Sequence, residues 1–310
     1  MPPDTSDRLL LLDSASLYFR AFHGVPERSE GGAVPTNAVR GFLDMLASLI
    51  ERGRPTHLAA CWDNDWRPAF RVAALPSYKA HRVADASGTE AVPEDLVVQV
   101  PLIVEALTAL GFARVGSDGY EADDVIGTLA EAHRGRMPVD IVTGDRDLFQ
   151  LVDDAAGIRV IYTARGGVRA PDLVDEAFLA EKYGVRSGPA YADMAVLRGD
   201  TSDGLPGVAG IGEKTAAALI AAYGDLVGLR AALASGDPRL RGAQRARLEA
   251  AAAYLDAAPH VVAVAKDAPL AQLDLRLPQT VADPVLMSRL AVEHRLTSSF
   301  DRVLRALRID

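Results

Sequence analysis

The chain has 310 residues, 49% hydrophobic and 24% charged, with a formal net charge of -9, enough apolar mass for one large or two modest packed domains. A single cysteine, Cys61, excludes an internal disulfide, a Cys-rich zinc site and an iron-sulfur cluster. There is no apolar run of about 18 residues, the length of a membrane span. Residues 1–7 lack the charged and apolar regions of a secretory leader, so a reducing, cytoplasmic setting without a membrane is expected.

In chain order, apolar runs at 9–12, 58–62, 139–142 and 158–162 predict strands, and helical periodicity at about 37–51, 94–110 and 121–133 predicts crossovers between them. This is α/β organisation with a mainly parallel sheet. Past about residue 185 the chain becomes Ala-rich and helical, which divides it into an α/β part at 1–185 and a helical part at 186–310.

The strands end in acids. Asp13 closes the first run, Asp63 follows the second, and Asp145 and Asp147 follow the third within Thr143-Gly144-Asp145-Arg146-Asp147. In a parallel sheet, ligands gather beyond the carboxyl ends of the strands, so three strands delivering an Asp there converge on a site. Glu121, Asp123 and Asp124 open the helix at 121, more acid than a helix start needs for its dipole. Asp200 and Asp203 complete the set. Gathering so many carboxylates is tolerable only if cations neutralise them, and all-oxygen ligands favour Mg²⁺ or Mn²⁺. The sequence therefore points to a metal-dependent phosphate enzyme. The acids number nine, equal to the net negative charge, so the charge balance does not exclude a polyanionic substrate.

Directly after Asp203 comes Gly204-Leu205-Pro206-Gly207-Val208-Ala209-Gly210-Ile211-Gly212-Glu213-Lys214-Thr215-Ala216. Gly207, Gly210 and Gly212 permit tight turns whose amides, beside a helix start, form an anion site. No Walker pattern is present; the better match is a helix-hairpin-helix at about 204–222, gripping a nucleic-acid backbone with Lys214 and Thr215. Cations cluster twice more. Arg67, Arg71, Lys79, His81 and Arg82 are interleaved with Trp66, Phe70 and Tyr78, a combination suited to stacking bases and holding phosphates. Arg239, Arg241, Arg245 and Arg247 form the second run, read equally well as a solvated helix face. Only four lysines occur among 33 basic residues, and two of them, Lys79 and Lys214, fall in these motifs.

Taken together, Asp13, Asp63, Tyr120-Glu121-Ala122-Asp123-Asp124, Thr143-Gly144-Asp145-Arg146-Asp147, Gly199-Asp200-Thr201-Ser202-Asp203 and the glycine-rich turn resemble the bacterial 5′-to-3′ exonuclease and flap endonuclease family, which includes the N-terminal nuclease domain of DNA polymerase I. The resemblance runs from residue 9 to about 265. It implies a PIN-like nuclease core, a helical arch at about 65–95, and a hairpin subdomain holding downstream duplex. It implies a two-metal site with Asp13, Asp63, Glu121 and Asp123 around one ion. Asp123, Asp145, Asp147, Asp200 and Asp203 would serve the other, with Asp124 adjacent. Arg71 and Lys79 would face the scissile phosphate, and Tyr78 and Arg82 would meet DNA. K⁺ at the hairpin, 5′ flaps, nicked or gapped duplex and RNA primers as substrates, a role in replication and repair, and a nucleoid-associated location belong to the same implication.

Two positions depart from the family's pattern: Trp62 replaces the usual Phe before Asp63, and Gly204 replaces the usual Asn after the last acid. With no polymerase region following, a stand-alone nuclease is expected. The rival readings are a catalytically weak paralogue that binds DNA junctions, a PIN-like RNase, and a polymerase-tethered or scaffold-bound DNA-binding subunit whose nuclease activity is secondary. Residues 82–92, small and polar, are expected to be an arch segment that orders around a threaded 5′ strand.

Overall fold

The computed structural model describes residues 7–28, 34–84, 88 and 90–309. The first half contains β1 (Leu9–Asp13), α1 (Ser14–Gly24), α2 (Asn37–Gly53), β2 (His57–Cys61), α3 (Ala69–Ala74), α4 (Glu94–Val97), α5 (Val100–Leu110), β3 (Ala113–Val115), α6 (Ala122–His133), β4 (Val139–Thr143), β5 (Ile158–Tyr162), β6 (Asp172–Val174) and α7 (Glu176–Tyr183). The second is helical: α8 (Gly188–Arg198), α9 (Glu213–Tyr223), α10 (Leu226–Ser235), α11 (Gly242–Ala250), α12 (Ala252–Val262), α13 (Pro284–Glu293) and α14 (Thr297–Leu307).

The six strands lie in the order β3-β2-β1-β4-β5-β6, all parallel except β6, which runs antiparallel to β5. The four predicted strands and the mainly parallel sheet are found; β3 and β6, each three residues long, carried too little pattern to be predicted. From central β1 the chain moves outward through β2 and β3, then returns to place β4 on the other side of β1. That reversal opens a crevice at the carboxyl ends of β1 and β4, where Asp13 and the loop carrying Asp145 lie.

Alternation along β1 sends Leu9 and Leu11 into one core and Leu10 and Leu12 into another. The first core continues from α6 through Leu148 and Phe149 into α8, α9 and α12, so apolar packing crosses the change of composition near 185. The second is roofed by α1, α2 and α5, with Phe300 and Val303 of α14 packed among them. Although α13 and α14 belong to the stretch expected to form the DNA-binding half, they pack on α5 and α2 of the nuclease half.

The helix expected at 94–110 is broken in two. Pro101 lacks the N–H that would bond back one turn, so α5 starts afresh at Val100. The break has a use: Gln99 is buried there, accepts the Ala38 N–H at 2.7 Å and donates to Asn37 Oδ1 at 2.9 Å, satisfying the start of α2. No single described helix is long and apolar enough to cross a membrane.

Candidate active site

Beyond the strand ends lies a cavity of about 610 Å³, lined by Asp13, Asp63, Glu121, Asp123 and Asp145 together with Lys79, Arg82, Glu90 and the aromatic rings of Tyr18, Phe19, Trp62 and Trp66. Asp13 is the N-cap of α1, accepting the Ser16 N–H at 3.1 Å, and the buried Thr143 hydroxyl donates to it at 2.6 Å. Burial, with Asp63 and Asp145 nearby, still lifts its pKa to about 7. Asp63 accepts the Ala122 N–H at 2.8 Å; burial raises it, opposed by that bond and by Lys79. Asp123 is pushed well above the carboxylate range by burial and then by Asp13, Asp145 and Glu121.

Glu121 caps α6 and is 3% exposed. It accepts from the Tyr78 hydroxyl at 2.8 Å, from Lys79 Nζ at 2.7 Å and from an Arg71 amino group at 2.9 Å. Burial nevertheless carries its pKa up to about 7. Burial pulls the Lys79 ammonium downward, but Glu121 and Asp203 outweigh it and hold it above the ordinary lysine range.

Away from the lining of this cavity, a further group of acids gathers. Asp147, at the head of a 3₁₀ turn, is raised by burial and by Asp145, Asp203 and Asp200. Asp200 accepts the Ser202 N–H at 2.8 Å, and Asp203 pairs with Arg82 at 2.7 Å. Burial raises Asp203 against the pull of Lys79 and Arg82.

The structure corrects three expectations. Arg71 is 2% exposed: it forks onto Asp124 at 2.6 and 2.8 Å, donates to the Val261 and Ala263 carbonyls, and is absent from the cavity wall. It cannot offer a guanidinium to a phosphate there. Asp124 is wholly buried, its oxygens also taken by the Glu121 and Ala265 N–H groups, so it locks α6 to Arg71 instead of facing an ion. Tyr78, 3% exposed, spends its hydroxyl on Glu121 and is not a DNA-facing ring. Arg and Tyr beside aromatic residues signal nucleic acid and buried anchors equally well, and sequence carries no burial.

Several functional side chains went unread. Thr143 orients Asp13, and the Ser16 hydroxyl accepts the Gly144 N–H at 2.7 Å, fixing the loop of Asp145. Glu90 was read as part of a polar loop; burial raises it, while Lys79 and Arg82 pull it down. Of the expected arch segment at 82–92, residues 85–87 and 89 lie outside the described residues. Its flanks meet through the Ala91 N–H on the Arg82 carbonyl at 2.9 Å and a bridge between Val83 and Glu90.

The base of that segment docks on the last acidic turn. Lys79 donates its backbone N–H to the Asp203 carbonyl at 2.9 Å, and Ser77 Oγ donates to the Gly204 carbonyl at 2.8 Å. Gly204 has φ +74°, and an added Cβ would lie 2.1 Å from the Ser77 carbonyl oxygen. This contact accounts for glycine where the family usually has Asn. The glycine-rich turn then leads into α9, with Gly207 and Gly210 at φ +66° and +70° and Gly212 as N-cap. Lys214 is exposed in the first turn of α9, where a cation opposes the helix dipole, and Thr215 is half-buried beside it. A positive charge at a helix start is what an anion partner favours.

Among the described residues, no three His, Cys, Asp or Glu side chains are gathered closely enough to form a ready cation cage. The donor chemistry still fits hard divalent ions: the donors are all oxygen, they come from separate elements, and burial and mutual repulsion raise Asp13, Asp123 and Asp147 together.

Residues 8–184 match the family described as 5′-3′ exonuclease, N-terminal resolvase-like domain, and residues 187–283 match its C-terminal SAM fold. The chain belongs to the 5′-3′ exonuclease family. It is 54% identical over 303 residues to a 5′-3′ exonuclease of Streptomyces coelicolor, covering 96% of this chain and 99% of that protein. It is 49% identical to one from Mycobacterium tuberculosis, at 96% and 97% coverage. DNA polymerase I of Mycobacterium bovis matches at 40% over 85% of this chain but only 28% of its own length. In fold, the T5 D15 protein co-crystallised with metal ions superposes with a TM-score of 0.63 at 16% identity, covering 97% and 99% of the two chains. The catalytic core of Rad2 in complex with DNA substrate gives 0.58 at 17%, covering 97% and 92%. This 5′-3′ exonuclease family member thus has the PIN-like core and helical domain expected of it.

Proposed function

We propose that the chain is a structure-specific 5′ nuclease, a 5′-to-3′ exonuclease and flap endonuclease that hydrolyses DNA phosphodiesters in replication and repair. The observation that carries this reading is the convergence of carboxylates from the ends of β1, β2 and β4 and the start of α6 on one cavity, next to a hairpin with the traits of a backbone-phosphate site. The 5′-3′ exonuclease names of its full-length relatives support it, as does a T5 structure described as a flap endonuclease with DNA and metal ions.

Asp13, Asp63, Glu121 and Asp123 would hold one divalent ion, and Asp123, Asp145, Asp147, Asp200 and Asp203 the second, some of them through water. Bound Mg²⁺ or Mn²⁺ supplies Lewis acidity and a nucleophile at neutral pH. The residues of the chain do the positioning. Thr143 and Ser16 fix Asp13 and the loop of Asp145. Lys79, paired with Glu121 at the cavity wall, offers a fixed ammonium to an entering phosphate. Trp62 and Trp66 line the same cavity, where their rings would be available to unpaired bases. Lys214, Thr215 and the amides at Gly207, Gly210 and Gly212 would hold the downstream duplex without reading sequence, and K⁺ at that turn belongs to the same reading. Arg82, paired with Asp203, would meet DNA at the arch base.

The test uses 5′-end-labelled flap, nicked-duplex and single-stranded DNA with Mg²⁺, Mn²⁺ or a chelator. Metal-dependent products cut at or near the flap junction are expected; binding without cutting would favour a junction-binding paralogue, and cutting of RNA alone would favour a PIN-like RNase.

A further inference from the structure

Glu213 is the first residue of α9, one position before Lys214, and was assigned no role by the sequence. Its carboxylate lies 3.2 Å from an amino group of Arg198 and 3.7 Å from one of Arg146. Both arginines belong to the acidic site by position. Arg146 stands between Asp145 and Asp147, and Arg198 ends α8 two residues before Asp200. Arg198 has a side chain only 12% exposed, with its guanidinium 6.0 Å from the Tyr191 ring and its Nε on the Gly199 carbonyl. Its second amino group makes no hydrogen bond and stands 3.8 Å from Asp200 Oδ2, an ion-pair distance that is still too long for a hydrogen bond.

We infer that Glu213 is a positioning residue: it draws the Arg198 guanidinium toward α9 and so keeps it from hydrogen-bonding Asp200, leaving the Asp200 oxygens available to divalent cations. The inference rests on the proposed role of these acids. Without Glu213, Arg198 is one small side-chain rotation from a charge-assisted bond to Asp200, and an arginine so paired competes directly with a cation for the same oxygens. The link also runs through the segment proposed to hold duplex DNA, so the hairpin and the acidic loop share one ionic network. An acid in the first turn of a helix has a plainer use, complementing the helix dipole. That use would affect the stability of α9 and leave cation affinity alone.

The experiment titrates Mn²⁺ calorimetrically into DNA-free wild type, Glu213→Gln, Glu213→Asp and the double variant Glu213→Gln/Arg198→Gln, and measures the Mg²⁺ needed for half-maximal flap cleavage at saturating DNA. Glu213→Gln is expected to weaken Mn²⁺ binding by about threefold to fivefold, the size of one half-exposed ion pair, and to raise the Mg²⁺ requirement in parallel. Glu213→Asp keeps the charge but loses the reach, so it should behave like Glu213→Gln, and removing Arg198 should return most of the lost affinity. Wild-type Mn²⁺ binding by either single variant, or no recovery in the double variant, would overturn the inference. A wild-type protein that neither binds Mn²⁺ nor cuts in Mg²⁺ would instead overturn the reading of the acids themselves.

Discussion

The acidic cavity and the hairpin before α9 are both proposed to serve a polyanion, yet they are built in opposite ways. The cavity gathers mostly buried and half-buried carboxylates in a crevice where burial and mutual repulsion lift the pKa values of Asp13 and Asp123, and it pins them with hydroxyls, amides and Lys79. The hairpin is open, uses backbone amides and places a lysine where the helix dipole disfavours one. On the proposed reading, one region is held at electrostatic cost until cations arrive, and the other would take phosphate as it stands. Changes in the first should therefore alter chemistry and ion dependence, and changes in the second should alter grip and salt dependence.

The sharpest way to break this division is at the acids. Asp145→Asn or Asp147→Asn should lower cleavage by about a hundredfold or more at saturating Mg²⁺, while flap binding in a chelator stays within a few-fold of wild type. Near-normal turnover by either variant would remove these residues from the chemistry. Next in size is Arg71→Ala. Two buried carboxylates, Glu121 and Asp124, would lose a shared partner, a change that costs about 3 to 5 kcal/mol. Denaturant unfolding should show that loss, and Arg71→Lys should recover only part of it, because an ammonium cannot fork onto Asp124. Full stability in Arg71→Ala would return Arg71 to the list of phosphate-facing candidates.

The smallest effects belong to the hairpin. Lys214→Ala should weaken duplex binding a few-fold and reduce the slope of log affinity against log salt by about one unit, since one fewer phosphate contact releases one fewer counterion. Gly210→Val should do more, because a Cβ there would lie 2.6 Å from the Arg247 guanidinium and φ is +70°. Turnover at saturating DNA should fall less than binding in both. Equal salt slopes for variant and wild type would make the turn merely structural.

How much of this was legible in the sequence differs between the same two regions. Strands of four or five apolar residues ending in Asp announced the sheet and the acids that line the cavity, because a buried strand and a loop carboxylate leave opposite marks in hydropathy. The glycine-rich turn was legible for a similar reason. Arg71, Tyr78 and Asp124 each have the residue type of a working group but are spent in one buried network joining α3 and the turn after it, α6, and the end of α12 with the chain beyond it. Residue type does not report burial. Thr143, Ser16 and Gln99 were missed because a hydroxyl or amide that satisfies a neighbour leaves no periodic signature. The short strands β3 and β6 were missed because three residues are too few for alternation to show.

The claim that the acids are held at electrostatic cost is tested most directly by the thermal midpoint of the metal-free protein across pH. Asp13 and Glu121, both lifted to about 7 from an unfolded value near ~4, keep their protons longer in the folded state than in the unfolded one. Their contribution is present below about pH 4 and is lost as pH rises through about 7. In a chelator, the midpoint should therefore fall between pH 5 and pH 8, a range that takes in the folded value of both groups and most of their window from about 4 to about 7, by several degrees, given about 2 to 4 °C per kcal/mol for domains of this order of size. Mg²⁺ or Mn²⁺ should restore it, more at pH 8 than at pH 5. A midpoint that stays flat or rises over that range in chelator, with no gain from either ion at pH 8, would contradict the account.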